Sequence, residues 1–288
     1  MNRGRYIQVA DRLWRTIVRT VHMYADFETG QRSAALAYYG LLSLFPLLLL
    51  AFNLLAHWLS EAIAQQTLME VLEYISPVVP SLIAENIEYV VRARGPLNAV
   101  AVVSLIWSAS GLFAALTHSL DRVWNGRSGR TFWEHRLISM ILVTVILLLF
   151  VLSLLLGAGL SLLPQVVALL LPNAPPVVWQ TLRVLPAVVS LGMDVFLYAM
   201  LFRFLPTRRP AWAAVWAGAL VAGVGWNLAK LGFAWYLTHF ARYGLVYGTL
   251  ATLVAFLFWI YLSGLVLLVG AEFGAAWERV WGREEEGR

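Results

Sequence analysis

Cysteine is absent from the 288 residues, so neither disulfides nor thiolate ligands can hold this chain together or carry its chemistry. That absence fits an oxidising or a reducing compartment equally. Lysine is almost absent: Lys230 stands alone beside twenty arginines. No GxxxxGK[ST] phosphate loop occurs, which argues against ATP hydrolysis. Charge is sparse, with Asp, Glu, Lys and Arg making 13% of the chain. Alternating polar and apolar residues of the kind that build membrane barrels are missing as well.

What remains is apolar. Hydrophobic residues make up 60% of the chain, with thirteen tryptophans and a mean hydropathy of +0.73, more than a soluble core can bury. Crossing a hydrocarbon layer takes about 20 residues of helix, and six runs reach that length. They cover residues 34–56, 97–117, 137–163, 184–205, 211–233 and 245–271. Backbone groups cannot stay unpaired in lipid, so these spans must be helices. The fold class expected is all-α: a polytopic six-transmembrane-helix bundle with a cytoplasmic amphipathic segment (1–33), a helical outer loop (57–96) and a cytoplasmic tail (272–288).

The arginines orient this bundle. An N-terminus in the cytoplasm places sixteen arginines inside, against Arg92, Arg94, Arg183 and Arg242 outside, so the positive-inside rule puts both termini in the cytoplasm. The pI near 9.7 then reflects topology and attraction to anionic lipid headgroups. No soluble module with base-stacking groups is present, so nucleic acid is not an expected partner. The first 33 residues are too polar, and the first span too long, for a cleavable signal peptide.

Outside the spans, Ile7, Ala10, Leu13, Trp14, Ile17, Val18 and Val21 recur at helical spacing, with Arg12, Arg15 and Arg19 on the other side. This is the pattern of a basic amphipathic helix on the inner membrane surface. The outer loop holds two amphipathic stretches divided by SPVVPS, which either cap the bundle or rest on their neighbours. Residues 164–183 are punctuated by proline around VVALLL, a run too short to cross, and suggest an interfacial or re-entrant segment. Tryptophans 58, 124, 133, 179, 212, 235, 277 and 281 fall near expected span ends, where an indole ring prefers to sit.

Small residues form stripes along the helices. Ser104, Ser108, Gly111 and Ala115 align in the second span, and Ala214, Gly218, Ala222, Gly225 and Ala229 in the fifth, while Gly270 and Gly274 make a GxxxG pair at the end of the sixth. Such faces let helices approach closely. Pro46 removes a hydrogen bond within the first span, giving either a hinge or a static kink.

Ionisable groups within spans are the candidate site. Asp194 lies ten residues into the fourth span and Lys230 nineteen into the fifth. Side chains lean toward their own helix N-terminus, so on antiparallel helices the two lean toward each other. Tyr198 and Ser190 share a face with Asp194, and Asn227 and Gly223 share one with Lys230. Together they suggest a polar, outward-opening substrate site, with Arg242 as a further anion contact. In the alternative, Lys230 snorkels to the outer headgroups and Asp194 is satisfied by Tyr198 or a neighbouring helix.

Four segments resemble the YihY/BrkB family of bacterial inner-membrane proteins: SAALAYYGLLSLFPLLLLAFNLL (33–55), LIWSASGLFAALTHSLDRVWNG (105–126), Trp226 to Lys230, and YGLVYGTLATLVAFLFWIYLSGLVLLVGAEFGAAWE (243–278). The chain departs from the family pattern at Phe273 and Gly274, where leucine and asparagine are frequent. The resemblance implies a six-span protein of the bacterial inner membrane, linked to envelope integrity, serum resistance and lipid export. It also carries an older ribonuclease label. Five scattered histidines and no carboxylate cluster able to hold a hard cation argue against that label, and no metal or cofactor is expected. The chain is thus expected to be no enzyme but a transporter or flippase-like protein for an amphipathic, anionic, lipid-related substrate. The alternative is a non-transporting membrane scaffold for envelope proteins.

Overall fold

A computed structural model describes residues 3–58, 111–112, 114–125, 167, 175–240 and 244–282 of the chain. The expected span 137–163, most of 97–117, the outer loop beyond residue 58, the run VVALLL apart from Val167, Trp133 and Arg242 lie outside the described residues.

The described regular structure is entirely helical. Helix α1 covers Arg3–Asp26 and α2 Thr29–Trp58. A short α3 covers residues 114–123. Helices α4 (Pro176–Phe204), α5 (Trp212–Phe240) and α6 (Gly244–Trp281) follow. Among the described residues, three stretches are long and apolar enough to cross a membrane: Val184–Phe204, Trp212–His239 and Leu253–Trp281.

Local sequence explains the boundaries. Pro176 occupies the first turn of α4, where its missing N–H costs nothing, and Pro206 follows Leu205 at the other end. Helix α4 thus starts eight residues before the expected span and carries Pro186 inside it, with the loss of one helix hydrogen bond. Helix α5 runs past Phe233 to Phe240, and α6 runs past Ala271 to Trp281, so residues 272–281 of the expected tail are helix. Pro46 lies within α2, whose helical assignment continues on both sides of it. Helix α3 ends in left-handed Asn125, with φ of 52°, a conformation asparagine tolerates better than most side chains.

The chain divides into two compact units. The first comprises residues 1–27, 120–227 and 267–288. Its core combines Leu120 and Trp124, Phe202 and Leu205 of the α4 end, Val215 and Ala219 of α5, and Leu268 and Ala275 of α6. Small residues of the expected fifth and sixth spans meet here. A Cβ on Gly218 would stand 2.6 Å from the Gly270 carbonyl oxygen, and one on Gly274 would stand 2.7 Å from that of Ala214. Backbone contact this close is open only to residues without a side chain. Trp124, near an expected span end, is buried with its ring edge over Gly274, where the glycine leaves room for it.

The second unit comprises residues 28–119 and 228–266. Gly264 of α6 sits against Leu36 and Ser33 of α2, and Gly40 of α2 faces Ile260. Gly111 lies beneath the Tyr39 ring. Phe233 is buried between Trp259, 4.8 Å away between ring centres, and Phe258 at 6.1 Å.

Candidate functional site

Helices α4 and α5 bring two of the expected site residues together in the first unit. Gly223 fits against Val195 so closely that a Cβ there would lie 2.5 Å from Val195 Cγ2. Asp194 precedes that valine, and Asn227 stands one turn after that glycine. The result is a hydrogen bond of 2.9 Å from Asn227 Nδ2 to Asp194 Oδ2. The same nitrogen donates at 2.9 Å to the Gly223 carbonyl, which fixes the amide's orientation. One turn beyond Asp194, Tyr198 is buried beside Phe202 and near enough to feel the carboxylate's charge.

Of the remaining expected site residues, Lys230 is half-buried on α5 and belongs to the second unit. Ser190 is half-buried on α4. Arg242 lies outside the described residues, and Pro46 sits within α2.

A second polar cluster, unforeseen from the sequence, joins the ends of the helices of the first unit. Asp121, almost wholly buried at the end of α3, accepts hydrogen bonds from the Thr207 backbone N–H at 2.6 Å and the Thr207 hydroxyl at 2.9 Å. Glu278 Oε1 accepts from the Ala211 N–H at 3.1 Å, satisfying an amide that opens α5, and lies 3.6 Å from Arg208. Arg279 donates to the Val123 carbonyl at 3.3 Å and to Asn125 Oδ1 at 3.1 Å, and reaches Met23 Sδ at 3.6 Å. Arg203 bonds the Pro210 carbonyl and stacks over Trp212 at 4.9 Å. Glu272, one turn before Ala276 on α6, is fully buried. The available signal was the run of charges at span ends, in LDRVWNG and GAEFGAAWER; the pairing itself links residues far apart in the chain.

The comparisons fit an all-helical protein with membrane-spanning stretches. The profile of the family described as Virulence factor BrkB matches residues 21–288. The chain belongs to that family. It is 26% identical over 258 residues to a ribonuclease-like protein, YfkH, of Bacillus subtilis (strain 168), covering 88% of this chain and 91% of the relative. It is 29% identical over 269 residues to the UPF0761 membrane protein RSc1559 of Ralstonia nicotianae, covering 90% and 58% of the two chains. A UPF0761 membrane protein of Alkalilimnicola ehrlichii is 31% identical over 252 residues, covering 85% of this chain and 54% of its own length. The chain therefore spans little more than half the length of the last two relatives. No solved structure matches it. Family membership and the apolar helices together make this BrkB-family chain a membrane protein.

Proposed function

We propose that this BrkB-family protein is an inner-membrane transporter or flippase-like protein for an amphipathic, anionic, lipid-related envelope substrate. The observation that carries this reading is the hydrogen bond between Asp194 and Asn227, a carboxylate and an amide held together within two helices apolar enough to cross a membrane. Intramembrane ionisable groups are expensive, and they commonly mark a substrate or ion pathway. In this reading Asp194 is a counter-charge or proton site, oriented by Asn227, with Tyr198 beside it. Lys230 and Arg242 act as anion contacts by virtue of their chemistry, and Pro46 is a hinge in the first span. The chain crosses the membrane six times, with both termini in the cytoplasm.

Translocation of a labelled anionic phospholipid by the purified protein in liposomes tests the reading. Flux in the wild type that is lost in Asp194→Ala and in Lys230→Ala, with insertion intact, supports it. Normal flux in both variants removes these residues from the site. Absence of flux from the wild type favours a non-transporting scaffold that binds envelope proteins.

A further inference from the structure

Helix α1 has its polarity reversed relative to an ordinary surface helix. The side turned into the first unit carries Thr16, Thr20 and Met23, all buried, and Arg12 lies 5.1 Å above the Trp281 ring. The side turned away carries Ile7, Leu13, Trp14, Ile17, Val21 and Tyr24, all exposed. A third flank, between these two, bears the hydrogen-bonded ion pair of Asp11 and Arg15 together with exposed His22. A helix in a water-soluble protein buries its apolar stripe and exposes its polar one. The apolar stripe of α1 thus calls for an apolar medium outside the chain.

We propose that α1 is an anchor for an anionic lipid leaflet, with its free apolar face in the acyl layer and its net positive charge attracting the anionic headgroups. Three observations choose lipid over another occupant. The first unit also holds the whole of Val184–Phe204 and the first part of Trp212–His239, stretches able to cross a membrane whose large apolar side chains, such as Val188 and Leu220, are exposed in the same way, so a bilayer adjoins the unit that α1 packs onto. Within α1 there are five arginines and two aspartates, a net charge of +3, the sign that anionic headgroups attract. Trp14 and Tyr24 are both on the free face, and such amphipathic rings settle at the headgroup boundary. The helix is also tied to a spanning element: Arg12 stacks over Trp281, which itself stacks on Trp277 with ring centres 4.6 Å apart, and Arg279 reaches Met23. Movement of the lipid-held helix would therefore be passed to the end of α6.

The absence of cysteine makes the test direct, since single thiols can be placed at will in the full-length protein. Ile17→Cys and His22→Cys, each labelled with an environment-sensitive nitrobenzoxadiazole dye, are placed in nanodiscs holding one protein copy. In discs containing phosphatidylglycerol, the label at 17 should be blue-shifted and several-fold less accessible to a neutral aqueous quencher than the label at 22. That protection should weaken in discs of phosphatidylcholine alone. Equal quenching at both positions in the anionic discs overturns the proposal. Protection at 17 that requires two copies per disc overturns it in favour of self-association, and equal protection in both lipids removes the anionic preference. Lipid flux is a separate readout, so failure here leaves the transport reading standing, and the reverse.

Discussion

At Asp194 the Asn227 amide orients the carboxylate, and the hydrogen bonding and the charge of that carboxylate can be separated by substitution. Asp194→Ala removes both and leaves the Asn227 amide with one acceptor, Gly223, instead of two. Hydrogen bonds of this kind inside membranes are worth about 1 kcal/mol, so the loss of stability should be modest, read as a small fall in Tm in detergent. Asp194→Asn keeps an acceptor for Asn227 and should leave Tm close to wild type. Lipid flux that survives the asparagine variant would show that the charge of Asp194 has no part in transport. Asp121 is a different kind of residue, because its carboxylate satisfies a backbone N–H and a hydroxyl of the turn joining α4 to α5. Asp121→Ala leaves Thr207 without both bonds and should destabilise the first unit by about 1–3 kcal/mol, a larger fall in Tm than at Asp194. A smaller fall than at Asp194 would mean that this turn holds its shape without the carboxylate.

Between elements, the contact of α5 with α6 depends on the absence of side chains. Gly218→Ala and Gly274→Ala each push a methyl group against a carbonyl oxygen of the facing helix, at 2.6 Å and 2.7 Å before relaxation. Backbone cannot rotate aside as a side chain does, so the helices must separate, at about 1–3 kcal/mol for each substitution. Gly192 on α4 and Gly232 on α5 provide the contrast, since a Cβ at either position meets nothing within 4 Å. Alanine there should be neutral or stabilising by about 0.5–1 kcal/mol, because it lowers the entropy of the unfolded chain. Thermal unfolding of the four variants should rank them in that order, and a Gly274→Ala protein as stable as Gly192→Ala would contradict the close approach.

These elements also show what the sequence makes legible. Spacing by three and four marks Gly218, Gly270 and Gly274 as contact faces, a local property of a helix, whereas helical direction pairs Asp194 with Lys230 and the hydrogen bond found is with Asn227, one turn before that lysine on the same face. The bonds of Asp121 to Thr207 and of Arg279 to Asn125 join residues 86 and 154 positions apart, which no local periodicity encodes. The sixth apolar run ends at Ala271, and Glu272 follows it. In the fold that glutamate is fully buried, and the helix continues through Trp281. Hydropathy puts Glu272 at the start of a tail and Trp124 near a span end, and carries no sign of the tertiary packing that encloses both side chains.

For the whole molecule, the distribution of arginine makes a prediction that the helices alone do not. A chain with an even number of crossings has both termini on one side, and sixteen arginines of twenty fall in the segments assigned to that side. Long apolar helices cross in either direction, and it is the cost of moving charge against the membrane potential and away from anionic headgroups that selects one orientation. The cysteine-free chain allows this to be measured in sealed cells with single thiols at Arg5, at Glu286 and at Arg242 and a maleimide that cannot cross the membrane. The thiol at 242 should react in intact cells, and those at 5 and 286 only after permeabilisation. Reaction at 5 and 286 in intact cells would invert the topology and turn the free face of α1 toward the outer leaflet. Reaction at only one of the two would require an odd number of crossings, and with it a different assignment of the apolar runs between residues 97 and 163.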